Sequence, residues 1–179
     1  NSFIDWQKQD DFFKKLNFFV RIAPIDQIED YKEFFDRSNI YLEYGGKIKQ
    51  NDTVFRSGAK TEMDEEDLLN TKNTLKYSDI CVSLFSTMSL EAFIFDKPVI
   101  NIGFIPKIED VANFYHYKPI IEGGAVKLAK NMEELKQYIK IYIDNTKIDK
   151  EYRKKIVEMM ANPTDGLSYK RNVDFLERL

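Results

Sequence analysis

The chain has one cysteine, one histidine, one tryptophan, five prolines and seven glycines in 179 residues, and the scarcities remove whole classes of protein. With Cys81 alone, neither an internal disulfide nor a cysteine-built zinc site can form, which fits a reducing cytoplasm. There is no basic surplus: 27 Lys and Arg stand against 30 Asp and Glu, for a net charge of -3. A nucleic-acid footprint is therefore disfavoured. No apolar run approaches membrane-spanning length, no His-rich or paired-Asp metal motif occurs, and there is no internal repeat or low-complexity tract. The opening Asn-Ser-Phe-Ile-Asp-Trp carries no initiator Met and reads as a boundary inside a longer protein.

What is present argues for a folded globule. Hydrophobic residues make up 43% and aromatic residues 14%, enough to build a core despite 32% charged residues. The length suits one domain over residues 1–179. The pattern alternates strands with helices: a helix over 3–15, a strand at 17–22 ended by Pro24, a helix near 26–36 and a short strand at 40–42. Residues 43–61 read as a loop with an extended piece at 53–55, and 64–77 as a helix through Leu68, Leu69 and Leu75. Later come a strand at 98–102, a short helix at 108–114, a strand at 126–128 and a helix capped by Asn131 with Glu134 at its third position. Further helices are expected at 149–161, stopped by Asn162-Pro163, and at 168–178, with Val173, Leu176 and Leu179 facing inward. Such alternation implies an α/β fold with a doubly wound, Rossmann-like parallel sheet and ligands at the carboxyl ends of its strands.

The most informative stretch is 79–104. Ile80 to Phe85 has the unbroken apolar character of a strand covered on both faces. Ser86 and Thr87 then open a helix, and a hydroxyl-bearing helix start past the end of such a strand offers free N–H groups to an anion, phosphate above all. Glu91 lies four residues after Thr87, on the same face of a helix otherwise made of Met88, Leu90, Ala92, Phe93, Ile94 and Phe95. A carboxylate among those residues needs a partner. The plain alternative is that Ser86 or Thr87 only caps the helix and Glu91 only faces water.

The other candidates have plainer readings too. Gly45-Gly46 and Gly123-Gly124 are expected to be turns, because neither pair follows a clear strand and opens a helix. The acidic run from Glu62 to Asp67 suits a helix start, and the basic run from Lys147 to Lys155 a solvated helix face.

Three segments together resemble the C-terminal, donor-binding half of two-Rossmann-domain (GT-B) glycosyltransferases of bacterial surface and capsular polysaccharide. They are Tyr77-Ser78-Asp79-Ile80-Cys81-Val82-Ser83, Ser86-Thr87-Met88-Ser89-Leu90-Glu91-Ala92, and Asp96-Lys97-Pro98-Val99-Ile100-Asn101-Ile102-Gly103-Phe104. The likeness extends to CDP-glycerol glycerophosphotransferases and UDP-N-acetylglucosamine 2-epimerases. Val20-Arg21-Ile22-Ala23-Pro24 is similar to the family's Arg-x-His-Pro strand end, with Ala23 where the family has His. Asp165-Gly166-Leu167-Ser168 with Arg171 is similar to its closing helix.

The resemblance implies a metal-independent transferase that needs no cofactor and takes a UDP- or CDP-linked sugar as substrate. Ser86 and Thr87 would hold the diphosphate, Glu91 the ribose hydroxyls, and Arg21 would add positive charge near a phosphate or the sugar. His116 falls where the family often has an aromatic-rich loop near the donor, although a lone His is more often a surface residue. No catalytic residue is assigned. An N-terminal acceptor domain, absent from this stretch, would supply the acceptor site and the base, so the stretch alone should bind nucleotide and turn over nothing. The acceptor would be a lipid-linked or other glycan met in the cytoplasm at the inner face of the membrane. The alternatives are a CDP-activated polyol-phosphate transferase, a UDP-sugar epimerase, or a non-catalytic Rossmann-like interaction module.

Overall fold

This computed structural model describes residues 6, 8–23, 26, 28–35, 39–45, 47–48, 61–62, 64–104, 115 and 117–178. It is a mixed α/β structure with short parallel sheets. The chain packs as two compact units, Asn1–Thr74 and Leu75–Leu179, where length had suggested one domain.

In the first unit, Phe13 is fully buried, with the Trp6 ring 5.1 Å and the Phe12 ring 5.3 Å from its own. Strands β1 (Phe18–Ile22) and β2 (Ile40–Tyr44) pair in parallel with Arg21 opposite Glu43. The segment between them holds a 3-10 helix, Ile28–Phe34, within the helix expected near 26–36. Lys47–Ile48 (β3) and Thr61–Glu62 (β4) form a short antiparallel pair. The extended piece expected at 53–55 lies outside the described residues. Helix α1 (Glu65–Tyr77) starts with reciprocal backbone-to-carboxylate bonds between Asp64 and Asp67. These satisfy helix-start N–H groups, in keeping with an acidic run at a helix start. Of the three leucines that mark this helix, Leu68 and Leu69 are exposed and Leu75 is buried.

The second unit is built on a three-stranded parallel sheet in the order β5 (Cys81–Ser83), β6 (Val99–Ile102), β7 (Val126–Ala129). Helix α2 (Met88–Ile94) links β5 to β6, and α3 (Lys118–Glu122) precedes β7. Three further helices follow: α4 (Met132–Asp144), α5 (Lys150–Met160) and α6 (Ser168–Leu176). Val99, Val126, Ala92, Phe93, Tyr117, Ile120 and Ile156 share one core cluster, with α2 packed on α5. Helix α4 packs on β6 and β7 and buries Leu135, Ile139 and Tyr142. Val99 and Ile100 point to opposite faces of β6 and neither is exposed, so β6 is covered on both sides.

The sheet corrects one expectation. Among the described residues β5 is an edge strand, shorter than the apolar run that announces it, and Val82 is 37% exposed. It is not covered on both faces. An apolar run reads the same for an edge strand as for a central one, because only the neighbours differ.

Two helix ends follow the sequence closely. Asn131 Oδ1 accepts from the Glu134 backbone amide at 2.8 Å, as a capping residue should, although the Glu134 carboxylate accepts from the Lys130 backbone N–H and the Asn131 side-chain amide rather than from the Asn131 backbone N–H. Gly124, at φ +70, makes the turn after α3 in a conformation that suits glycine. Helix α6 differs from its reading: it has no buried residue, and Val173 and Leu176 are exposed rather than inward. The helix expected at 108–114 lies outside the described residues.

Candidate functional site

The end of β1 offers the first candidate. Arg21 Nη1 donates to Glu43 Oε2, its opposite number in the parallel register, and Nη2 donates to the Asp67 carbonyl at 3.4 Å. The side chains are 17% and 20% exposed. The positive charge expected for a phosphate is thus balanced within its own unit by a carboxylate that local spacing could not reveal. Ala23, which stands where the resembling family has His, is exposed.

The turn from β5 into α2 holds the other three described candidates. Ser86, Thr87 and Glu91 are all exposed, with Ser86 and Thr87 just beyond the carboxyl end of β5 and Glu91 one turn into the helix. The Glu91 side chain makes no described ion pair or hydrogen bond. The expected partner for its carboxylate is unnecessary, because this face of α2 meets water; Ile94, next along the helix, is exposed too.

The helix start also differs from the expected row of free N–H groups. The Met88 amide bonds Ser86 Oγ at 3.2 Å, the Ser89 amide the Ser86 carbonyl at 2.9 Å, and the Leu90 amide the Thr87 carbonyl at 2.9 Å. The Glu91 amide also reaches the Thr87 carbonyl. Tight 3-10 bonding in the first turn consumes donors that a regular α-helix leaves open. Ser86 and Thr87 remain exposed, and the Thr87 amide has no described partner.

Behind this turn lies a polar group inside the apolar core. The Tyr117 hydroxyl donates to the Ser86 carbonyl at 2.8 Å and shares a 2.6 Å hydrogen bond with Ser89 Oγ. Its ring packs against Phe85 with centroids 5.4 Å apart. Burial pushes the Tyr117 phenol above its ordinary value, while the Ser89 bond and the nearby Asn101 amide pull the other way; the net shift is upward, so it stays a neutral donor. Asn101 itself is fully buried and, though near Tyr117, neither of its amide atoms meets hydrogen-bond geometry.

Local spacing in the sequence marks no role for Tyr117, Ser89 or Glu43. Tyr117 follows His116 in the chain, and His116 lies outside the described residues. Cys81, on the core side of β5, has its thiol pushed up to about 11 by burial, which suits packing rather than nucleophilic chemistry. Among the described residues, no three His, Cys, Asp or Glu side chains gather as metal ligands, and no helix is long and apolar enough to cross a membrane. Compared with known proteins, the chain matches no family model, no curated protein and no solved structure.

Proposed function

We propose that this chain is the donor-binding domain of a glycosyltransferase that uses a nucleotide-activated sugar to build cell-surface polysaccharide. The observation that carries the reading is the parallel β5–α2–β6 crossover, with the hydroxyls of Ser86 and Thr87 exposed just past the carboxyl end of β5. Parallel α/β sheets bind ligands at that end of their strands. The doubly wound arrangement and the missing acceptor domain belong to the same proposal.

The chemistry follows from the groups that remain outward. As the bond to the sugar breaks, the leaving nucleoside diphosphate gains negative charge, and fixed donors aimed at it lower the barrier. The two hydroxyls and the Thr87 amide are those donors. Glu91 accepts from the ribose hydroxyls, and its solvent-facing carboxylate needs no internal bond broken to do so. Arg21, already balanced by Glu43, contributes less positive charge than its sequence position suggests.

Titration calorimetry of the 179-residue chain with UDP, CDP and GDP tests the reading. One of the three binds, and Glu91→Ala weakens it by about 1.5–3 kcal/mol, as expected for hydrogen bonds to a charged acceptor. Binding of none, with circular dichroism showing the fold intact, sinks the proposal.

A further inference from the structure

Every other described helix lying wholly in the second unit buries at least one apolar side chain, and α6 buries none. Its start is held by its own residues: Asp165 accepts from the Leu167 amide at 3.0 Å and takes the Arg171 guanidinium on both oxygens, at 2.9 and 3.0 Å. A helix of 9 residues is marginal in water by itself and needs an apolar face packed on something. Tyr169, Val173 and Leu176, spaced by four residues and then three, make such a face, and they are 68%, 49% and 65% exposed. We infer that this stripe is an interface between two copies of the chain, which pack their α6 helices antiparallel about a two-fold axis.

Charge names the occupant. Lys170 and Glu177 border the stripe on one edge, about two turns apart, and the backbone is still helical at Glu177. Both residues are exposed, and neither side chain has a described ion pair or hydrogen bond. Antiparallel packing sets Lys170 of each copy against Glu177 of the other, so one edge complements itself twice. In the same register, Val173 of each copy meets Leu176 of the other. Parallel packing would instead bring Lys170 level with Lys170 and Glu177 level with Glu177. Two short helices cover less area than a standard specific interface, so the dimer is weak and forms as concentration rises. The inference does not depend on the nucleotide reading.

Sedimentation equilibrium of the 179-residue chain over a wide concentration range tests it. The average mass should climb from that of one chain toward that of two and stop there. Val173→Glu puts a carboxylate in the stripe at an exposed position, and it should abolish the climb while circular dichroism stays unchanged. Lys170→Glu and Glu177→Lys should each weaken self-association by about tenfold, because each sets like charges opposite one another at both ends. The two single variants mixed together, and the double variant with both charges exchanged, should each associate as the unaltered chain does. A mass that stays at one chain throughout overturns the inference. So does association that survives Val173→Glu, or one that exchanging the charges fails to restore.

Discussion

The two ends of α2 are both entered through a left-handed residue, Phe85 at φ +54 before it and Asp96 at φ +55 after it, yet they are fastened by opposite means. At the far end the fastening is charge. Arg153, only 1% exposed, donates through Nη2 and Nε to Asp96 Oδ1 at 2.9 and 3.3 Å, while Lys150 Nζ meets Oδ2 at 2.8 Å. The remaining guanidinium donors go to the Thr146, Ile148 and Asp96 carbonyls. At the near end the fastening is one neutral phenol. Asp tolerates the left-handed region and Phe does not. The strained residue therefore lies at the end that carries exposed hydroxyls, and the relaxed one at the end where its own carboxylate is tied to Arg153 and Lys150. An end tied off by charge has nothing left to offer a ligand, whereas one held from behind keeps its outward donors.

The largest effect expected is at the charged end. Arg153→Ala strands three carbonyls and leaves Asp96 without its buried partner, at a cost of about 3 kcal/mol, toward the lower bound for broken buried pairs because Asp96 is half exposed. Urea unfolding measures it. Nucleotide affinity of the still-folded fraction should not change; a parallel loss of affinity would mean that the two ends of α2 are not independent.

Acid sharpens the same contrast. Burial by itself raises the Asp96 carboxyl, but the hydrogen bonds and charges of Lys150 and Arg153 more than offset it and hold the group below its ordinary 3.8. A depressed carboxylate stabilises the fold fully above its unfolded value and loses that contribution as pH falls through its folded one. Asp96→Asn should therefore cost about 1–2 kcal/mol near neutral pH, discounted for the exposed carboxylate. The gap between variant and unaltered chain should close as pH drops below 3.8. Urea midpoints measured at pH 7, 5, 4 and 3 follow it, and a gap that stays constant with pH removes charge from the account of this corner.

These contacts show where the sequence is legible and where it stops. The β5–α2–β6 unit is readable because apolar runs, a hydroxyl-bearing turn and Pro98 are local signals. Asn131 and Glu134 are readable for the same reason, since a cap acts within one turn. The Arg153–Asp96 pair spans 57 residues, Tyr117–Ser86 spans 31, and Arg21–Glu43 depends on a parallel register. None leaves a periodicity or spacing to find. Exposure fails differently: α6 has the apolar spacing of a packed helix, but spacing shows only that a face exists, and Tyr169, Val173 and Leu176 stay exposed. The candidate site fell between these cases, with its outward residues visible in the sequence and the phenol behind them not.

The smallest stability effect, and the one that best separates the two ends, belongs to Ser86→Ala. Its hydroxyl accepts one exposed amide, that of Met88 at 3.2 Å, in the manner of a helix cap. Losing it costs about 0.5–1 kcal/mol, because water can replace an exposed partner. The Ser86 carbonyl, the Tyr117 bond and the Phe85 conformation all survive the change, since none uses the side chain. In calorimetry, a nucleoside diphosphate that rests on this hydroxyl loses affinity out of proportion to that small stability change. Arg153→Ala should show the reverse, a large stability loss with affinity unmoved. If Ser86→Ala instead leaves affinity untouched, the hydroxyl is a cap and nothing more, and the near end of α2 differs from the far end only in how it is tied.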